Sequence, residues 1–431
     1  MFIFLCWSVA SMIPARAQER TGISAVDLFT LADRARAVDR LADAEAIYSA
    51  LARDPDAEIR AEARFRLGMM LADQKRYTDA AVAFRALLDE KPDAARVRLE
   101  LARVLALMGD EGGARKQLRQ AQAAGLPPDV ALVVDQFANA LRSTKTIGGS
   151  IEFALAPDSN INRATDAKTL DTIIAPLNLS SDARARSGVG AKVSGQGYAR
   201  LRLDDGLSLL PRISGRGEFY RASQFNDVSG SLQLGLEWRI KKDRFQPAIG
   251  HSWRWYGGDL YARTQSASLN WLHMAGRRAQ FTIDGSASRV RYAKNALQNG
   301  MIYDLGTSYE RAFTQKSGGS LSLSLTRQTA RDPGYATTSG GFTALYWRDL
   351  GKLTLFGSAG LRRLEADARL FLFPSTRKEW LYSGTIGTTF RQATVAGFAP
   401  VLRARIERND STVGIYDYKR MAVEFGITRA F

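Results

Sequence analysis

The sequence predicts an α + β multidomain protein: an N-terminal α-helical repeat domain followed by a 14-stranded antiparallel transmembrane β-barrel. Three observations predict it. Apolar residues recur at spacings of three and four over residues 18–146, with abundant Ala. From Ile147 onward the apolar period drops to two. The chain closes on Arg420–Phe431, where Met421, Val423, Phe425, Ile427 and Phe431 share one face and Glu424, Gly426 and Thr428 the other. A last strand of this kind, ending on Phe, is typical of outer-membrane barrels. Val423, Phe425, Ile427 and Phe431 are its expected barrel-assembly signal, and Arg429 departs from it by standing where an apolar residue is expected.

Residues 1–17 read as a secretory signal peptide. Phe2 to Ile13 is a short apolar run, and Ala15-Arg16-Ala17 before Gln18 fits a small-x-small cleavage site, although no positive n-region precedes it. Cys6, the one cysteine, lies inside that segment. A mature chain without cysteine excludes a disulfide framework, a thiolate nucleophile and a cysteine-based metal site.

Charge is divided unevenly. Residues 18–146 carry 20 basic and 20 acidic residues, whereas residues 147–431 carry 39 basic and 24 acidic. Nucleic-acid binding would need those basic residues clustered on one face. Here Arg is distributed through alternating strands, which points instead to a basic lumen or to barrel ends facing lipid phosphates, and no nucleic-acid partner is expected.

The helical region repeats. Leu67 and Gly68 followed by Ala80, Phe84 and Pro92 have the spacing of one tetratricopeptide repeat, in which small residues let helices approach, an aromatic wedges between them and Pro ends the second helix. Leu101, Ala102, Ala114 and Leu118 match four of these positions 34 residues later, and Ala44, Tyr48 and Pro55 give a looser copy upstream. Two to three repeats follow, and Leu132–Leu141 is expected to form a final helix before the barrel. Stacks of this kind present a groove for peptides or proteins.

Strand candidates begin near residues 147, 185, 206, 227, 244, 260, 278, 301, 319, 336, 352, 378, 397 and 416. Leu232, Leu234, Leu236, Trp238 and Ile240 alternate with polar or small residues, as do Leu321, Leu323 and Leu325 with Ser and Thr. Connections after even strands are tight (Asp204-Asp205-Gly206, Lys241-Lys242-Asp243), and those after odd strands tend to be long (Pro157 to Ala183, Asp367 to Arg377). Short periplasmic turns and long outer loops produce this alternation. The six Trp after the leader and twelve of the 14 Tyr lie in this region, which suits interfacial girdles. With no run of eighteen apolar residues, a closed barrel is the remaining way to satisfy the backbone in lipid. The domains expected are therefore 1–17 (signal peptide), 18–146 (periplasmic repeat domain) and 147–431 (outer-membrane barrel).

The most specific string is Ala156-Pro157-Asp158-Ser159-Asn160-Ile161-Asn162-Arg163-Ala164-Thr165, directly after the first strand. Asp, Ser and Asn there form backbone-bonding turns; Asp158 is expected to pair with Arg163, and Asn160 with Asn162 to hold the loop shape. A turn tying strand one to the wall and a direct role on a passing molecule are both open. Pro157, Asp158, Ser159, Asn160, Asn162 and Arg163 are thus candidates for a cargo or gating loop. The apolar run within Thr169–Leu179 could fold inward as a plug or lie as a lid.

This string resembles one at the start of the barrel in the surface lipoprotein assembly modulator (Slam) family, and the order of leader, tetratricopeptide region and aromatic-ended barrel resembles that family as well. The resemblance implies an outer-membrane protein-export factor of a Gram-negative bacterium, with a surface lipoprotein or secreted protein as cargo. It further implies contact with outer-membrane lipid and lipopolysaccharide, with the barrel assembly machinery and with periplasmic chaperones. The repeat region is shorter than in better-known members, which bears on whether the same helical surface recognises cargo.

Other classes are weighed on chemistry. His251 and His273 have no assigned carboxylate or Ser partner, so a barrel lipase lacks its Ser–His pair. No phosphate-binding Gly loop is present, and no catalytic residue, cofactor or metal is expected. A polysaccharide exporter would carry a longer repeat array and an acidic, aromatic lumen. A passive, anion-preferring porin is the remaining alternative.

Overall fold

The computed structural model describes residues 23–123, 146–276, 278–390, 393 and 398–430. The leader, the expected helix over 132–141 and Phe431 lie outside the described residues.

Among the described residues, six helices come first: α1 (Ala25–Ala37), α2 (Leu41–Leu51), α3 (Ala57–Asp73), α4 (Tyr77–Glu90), α5 (Ala95–Leu107) and α6 (Glu111–Ala123). They form three hairpins with one repeated turn. Asp39, Lys75 and Gly109 each take positive φ (59°, 62° and 85°). After each, the next N–H reaches back over the turn: Arg40 N to Ala35 O at 2.8 Å, Arg76 N to Leu71 O at 2.9 Å and Asp110 N to Leu105 O at 2.9 Å. This left-handed cap satisfies carbonyls that a helix end leaves orphaned. Its 36- and 34-residue spacing, from residue 39 to 75 to 109, is the repeat seen in the side chains.

In the unit that ends at Ala63, Ala32, Ala44 and Tyr48 are fully buried, and the Tyr48 hydroxyl donates to the Asp33 carboxylate. In the unit from Arg64 onward, Ala80, Phe84, Ala102, Ala114 and Leu118 are buried, whereas Leu67 and Pro92 are half-buried. Gly68 has a steric reason: a Cβ there would stand 2.6 Å from the Phe84 ring. The Pro92 carbonyl accepts from the buried Arg98 guanidinium at 2.9 and 3.0 Å, so the residue that stops α4 also anchors α5.

The barrel wall has fourteen strands: β1 (Ile147–Asp158), β2 (Gly188–Ala199, continued after Arg200 by Leu201–Asp204), β3 (Leu207–Tyr220), β4 (Asp227–Ile240), β5 (Asp243–Tyr256), β6 (Asp259–His273), β7 (Ala279–Tyr292), β8 (Gly300–Ala312), β9 (Ser317–Gln328), β10 (Thr337–Leu350), β11 (Leu353–Ala366), β12 (Lys378–Phe390), β13 (Ala399–Ser411) and β14 (Tyr418–Ala430). Each pairs antiparallel with its chain neighbours, and β1 also pairs with β14 (Phe153 opposite Ile427, Leu155 opposite Phe425), which closes the cylinder. Closure leaves no open edge in the hydrocarbon.

Most even strands end in short turns, such as Asp205–Gly206 and Gly351–Lys352, with the eight-residue connection 391–398 after β12 apart, and odd strands mostly end in longer loops, the longest over 159–187. Among odd strands the exception is the connection after β5, which is only Gly257–Gly258, both at positive φ (60° and 91°). We call the two rims the turn end and the loop end.

Register sorts the side chains. Leu232, Leu234, Leu236, Leu321, Leu323, Leu325, Met421, Val423, Phe425 and Ile427 are exposed on the outer face, and Ala422 and Glu424 are buried on the inner one. Aromatics collect near both rims. Phe245 stacks on Trp271 (6.3 Å) and Phe313 on Tyr346 (6.3 Å) by the turns, while Trp380 and Tyr382 stand near the loops.

Two expectations are corrected. Trp347 is not a girdle residue: its strand parity, opposite to that of exposed Phe342 and Tyr346, turns it inward, and it is 8% exposed. The lumen is not uniformly basic either. Its arginines are interleaved with Glu152, Asp158, Glu237, Glu379, Glu407 and Glu424, because a cation facing a confined cavity is stabilised by a carboxylate on the neighbouring strand.

The two faces predict opposite tolerance. Leu323→Arg on the outer face should cost about 2–4 kcal/mol near the midplane, whereas Ser322→Asn on the inner face should cost little. Heat-modifiable migration of the folded barrel in urea would check both, and equal stability would contradict the assigned faces.

Candidate functional site

The end of β1 is built around a buried ion pair. Asp158 and Arg420 face each other on the inner side of β1 and β14, and both side chains are almost fully inaccessible. The guanidinium donates to the carboxylate from Nε (2.9 Å) and Nη2 (2.6 Å), while its Nη1 donates to Glu407 on β13 at 3.3 Å. Three strands are thereby joined at the loop end. Arg is suited to this because its planar fork meets a carboxylate with two parallel bonds.

The rest of the motif ties the loop down. The Asn160 N–H donates to Asp158 Oδ1 (2.9 Å), and its buried side-chain amide donates to Ala164 O (2.8 Å) and Lys419 O (2.9 Å) and accepts from Ala164 N (3.0 Å). Ser159 pairs with Met421 in both directions, N–H to O at 2.9 Å and Oγ from N–H at 2.8 Å. Asn162 donates to Asp182 O (3.1 Å) and Arg184 O (2.8 Å) and accepts from Arg186 N (3.1 Å). One expected pairing is therefore replaced: Asp158 takes Arg420 instead of Arg163. Asn160 and Asn162 each hold the loop shape through backbone partners of their own. Arg163, at φ 48°, turns its Nε towards Glu407 (3.5 Å). Pro157 has no N–H, and it and Ala156 are skipped in the β1–β14 register.

The segment after the motif packs on other loops of the same end. A small hairpin (Thr169–Leu170 with Leu177–Asn178) places Leu170 in a cluster with Leu370, Phe373 and Val413, flanked by Leu179, Tyr335 and Tyr416. Ile173 N donates to Leu372 O at 3.0 Å. Four loops thus share one apolar core above the wall. Burial pushes the Tyr416 hydroxyl above its ordinary pKa, and hydrogen bonds from Arg327 hold Asp367 below the usual carboxylate range.

Lower in the lumen a second charge network crosses the closing seam. Arg403 on β13 donates to Glu152 on β1 and reaches Glu424 on β14 (3.4 Å), and Lys192 on β2 meets Glu424 at 2.7 Å. Four consecutive strands of the wall are bridged here.

The turn end carries a helix. Lys116 of α6 sits 3.6 Å from the centre of the inward Trp347 ring and 3.6 Å from Asp349, and Gln120, fully buried, donates to Asp349 at 3.2 Å. A polar cavity of about 490 Å³ separates the α5–α6 turn (Gly109, Asp110, Gly112) from Tyr198, Arg200, Arg212, Arg244 and Gln246 of the inner wall. Arg98 ties α5 to α6 through Gln117 at 3.1 Å. The α5–α6 hairpin therefore stands across this mouth. Sequence inspection missed Trp347, Asp349 and Lys116, since their only signal was an aromatic on the wrong parity for the girdle.

The histidines face outward. His251 packs on Trp253 (4.4 Å), and His273 gains a carboxylate partner that the sequence left unassigned, Asp243 at 2.8 Å, which Trp271 also donates to.

A membrane-spanning barrel whose first loop is locked to its last strand, and whose mouth holds a helical repeat, defines a class: outer-membrane barrels with a tetratricopeptide module. Residues 148–431 match the surface lipoprotein assembly modifier family and residues 71–134 a tetratricopeptide repeat, so the chain belongs to that family of transport proteins in the outer membrane of Gram-negative bacteria. It is 23% identical over 447 aligned residues to surface lipoprotein assembly modifier 1 of Neisseria meningitidis serogroup B (96% of this chain, 88% of the relative). It is 21% identical to the hemophilin secretion modulator of Acinetobacter baumannii (86% and 77%). Among solved structures, a loop-deleted OmpT of Vibrio cholerae aligns at 8% identity and a TM-score of 0.39, covering 66% of this chain and 98% of that one.

Asp158→Ala should destabilise the barrel by about 3–5 kcal/mol, because it leaves the Arg420 cation buried and unpaired, and adding Arg420→Met should restore part of that loss. Urea unfolding of the detergent-solubilised barrel measures both; an unchanged midpoint in the single variant would remove the clamp. Lys116→Ala with Asp349→Ala should free α6 and raise single-channel conductance in a planar bilayer above that of the parent chain. Equal conductance would show that α6 does not limit the mouth.

Proposed function

We propose that this chain is an export factor that helps lipoproteins, or related soluble proteins, reach the cell surface. The observation that carries the proposal is the family match across the whole wall, residues 148–431, supported by relatives whose names speak of surface lipoprotein assembly and hemophilin secretion. The repeat helices face the periplasm, hold cargo on their surface and hand it to the barrel. The position of α6 over the turn-end mouth supports this, since it couples the last described repeat helix directly to the lumen entrance. The chain acts by binding and routing, without catalysis, and draws on the barrel assembly machinery for its own insertion and on periplasmic chaperones for cargo delivery. Its 157–163 motif keeps the first loop and the last strand in register while cargo passes.

Surface shaving of intact parent cells with protease, with and without the gene, tests this directly. Loss of one or a few proteins from the surface, with the same proteins retained inside the envelope, is the expected result and names the cargo. An unchanged surface proteome with lost surface glycan would replace this function with polysaccharide export. If neither changes, a passive channel becomes the better account.

A further inference from the structure

Three arginines stand together on the outer face of the wall close to the loop end. Arg263 on β6 lies directly opposite Arg291 on β7, and Arg289, two residues along, lies opposite Gln265. All three share the parity of the exposed Leu269 and Ile249, so they point away from the lumen, and all are exposed. Like charges directly opposed across an antiparallel pair are destabilising. Elsewhere the protein answers a cation with a carboxylate, as Lys294 in the loop after β7 does with Asp259 (2.5 Å) and Arg254 on β5 with Asp227 (2.6 Å). No described residue forms a hydrogen bond or ion pair with Arg263, Arg289 or Arg291. On the other side, Arg263 faces Trp253, an outward aromatic packed against His251. Outward Trp at a barrel rim marks the headgroup level of the bilayer.

We propose that Arg263, Arg289 and Arg291 form a binding site for the phosphorylated headgroup of a lipid in the outer leaflet, the lipopolysaccharide of that leaflet being the source. An anion between Arg263 and Arg291 converts a cross-strand repulsion into two charge-assisted contacts, and guanidinium forks match phosphate oxygens bidentately. The height set by Trp253 puts the forks level with headgroup phosphates, with acyl chains lying along the apolar face below. The site also accounts for part of the barrel's basic excess, whose lumen share is neutralised by carboxylates. It rests on the loop end facing outward, which labelling of an Ile174→Cys variant on intact cells reports separately.

Binding of lipopolysaccharide to the full-length protein in phosphate-free detergent tests the site, using native mass spectrometry. Arg263→Gln/Arg289→Gln/Arg291→Gln should weaken retention roughly tenfold or more, whereas Arg202→Gln near the turn end should not. The parent chain should show a similar loss towards lipopolysaccharide whose lipid A phosphates have been removed. Equal retention by parent and triple variant, or indifference to phosphate removal, would overturn the proposal. So would displacement by inorganic phosphate as effective as by the lipid, which would make it a small-anion site. If the triple variant does not show heat-modifiable folding, Arg291→Gln alone and the phosphate-removal arm still decide.

Discussion

Closure of β1 onto β14 is the constraint from which the rest of the structure follows. In hydrocarbon, every backbone N–H and C=O must find a partner within the protein, and an open strand edge leaves a whole row without one. Fourteen strands meet this requirement only when the first and last pair, and this is the one junction whose two strands are separated by almost the full length of the wall sequence. No short turn holds its register. The protein supplies that hold with side chains: Asp158 to Arg420 at the loop end, and Glu152, Arg403, Glu424 and Lys192 further down. A slip by one residue would turn Arg420 to the lipid and Met421 to the lumen, so the charges and the apolar face enforce the same register.

The first loop is an extension of that junction. Asn160 and Ser159 bond to the backbone of Lys419 and Met421, and the hairpin beyond them enters an apolar core shared with three other loops. The most specific string in the sequence is thus used largely for holding strands together. At the opposite rim α6 meets the lumen through a cation on an aromatic face and a carboxylate that Gln120 also bonds.

Much of this was legible in one dimension. Period-two alternation placed each of the fourteen strands within a few residues, because a wall strand meets lipid on one side and the lumen on the other. Ala80, Phe84, Ala102, Ala114 and Leu118 announced the repeat helices, because close helix approach needs small residues and a wedge at fixed spacing. What was not legible depends on strands far apart in the chain. Nothing local distinguishes Arg163 from Arg420 as the partner of Asp158, since one is five residues away and the other 262, and only the closed sheet brings the second within 2.6 Å.

The sequence by itself therefore determined the class of architecture, the membrane that holds it, the faces of its strands and the family it resembles. Those properties are carried by periodicity, turn chemistry and short motifs, each of which acts over a few residues. Tertiary structure alone decided which charges neutralise one another, that the 169–179 run packs on three other loops and that Trp347 and Asp349 receive α6. It also decided that Arg263, Arg289 and Arg291 share an outward patch. Each of these is a relation between side chains on different strands or helices, and barrel closure and register, not sequence proximity, set those distances.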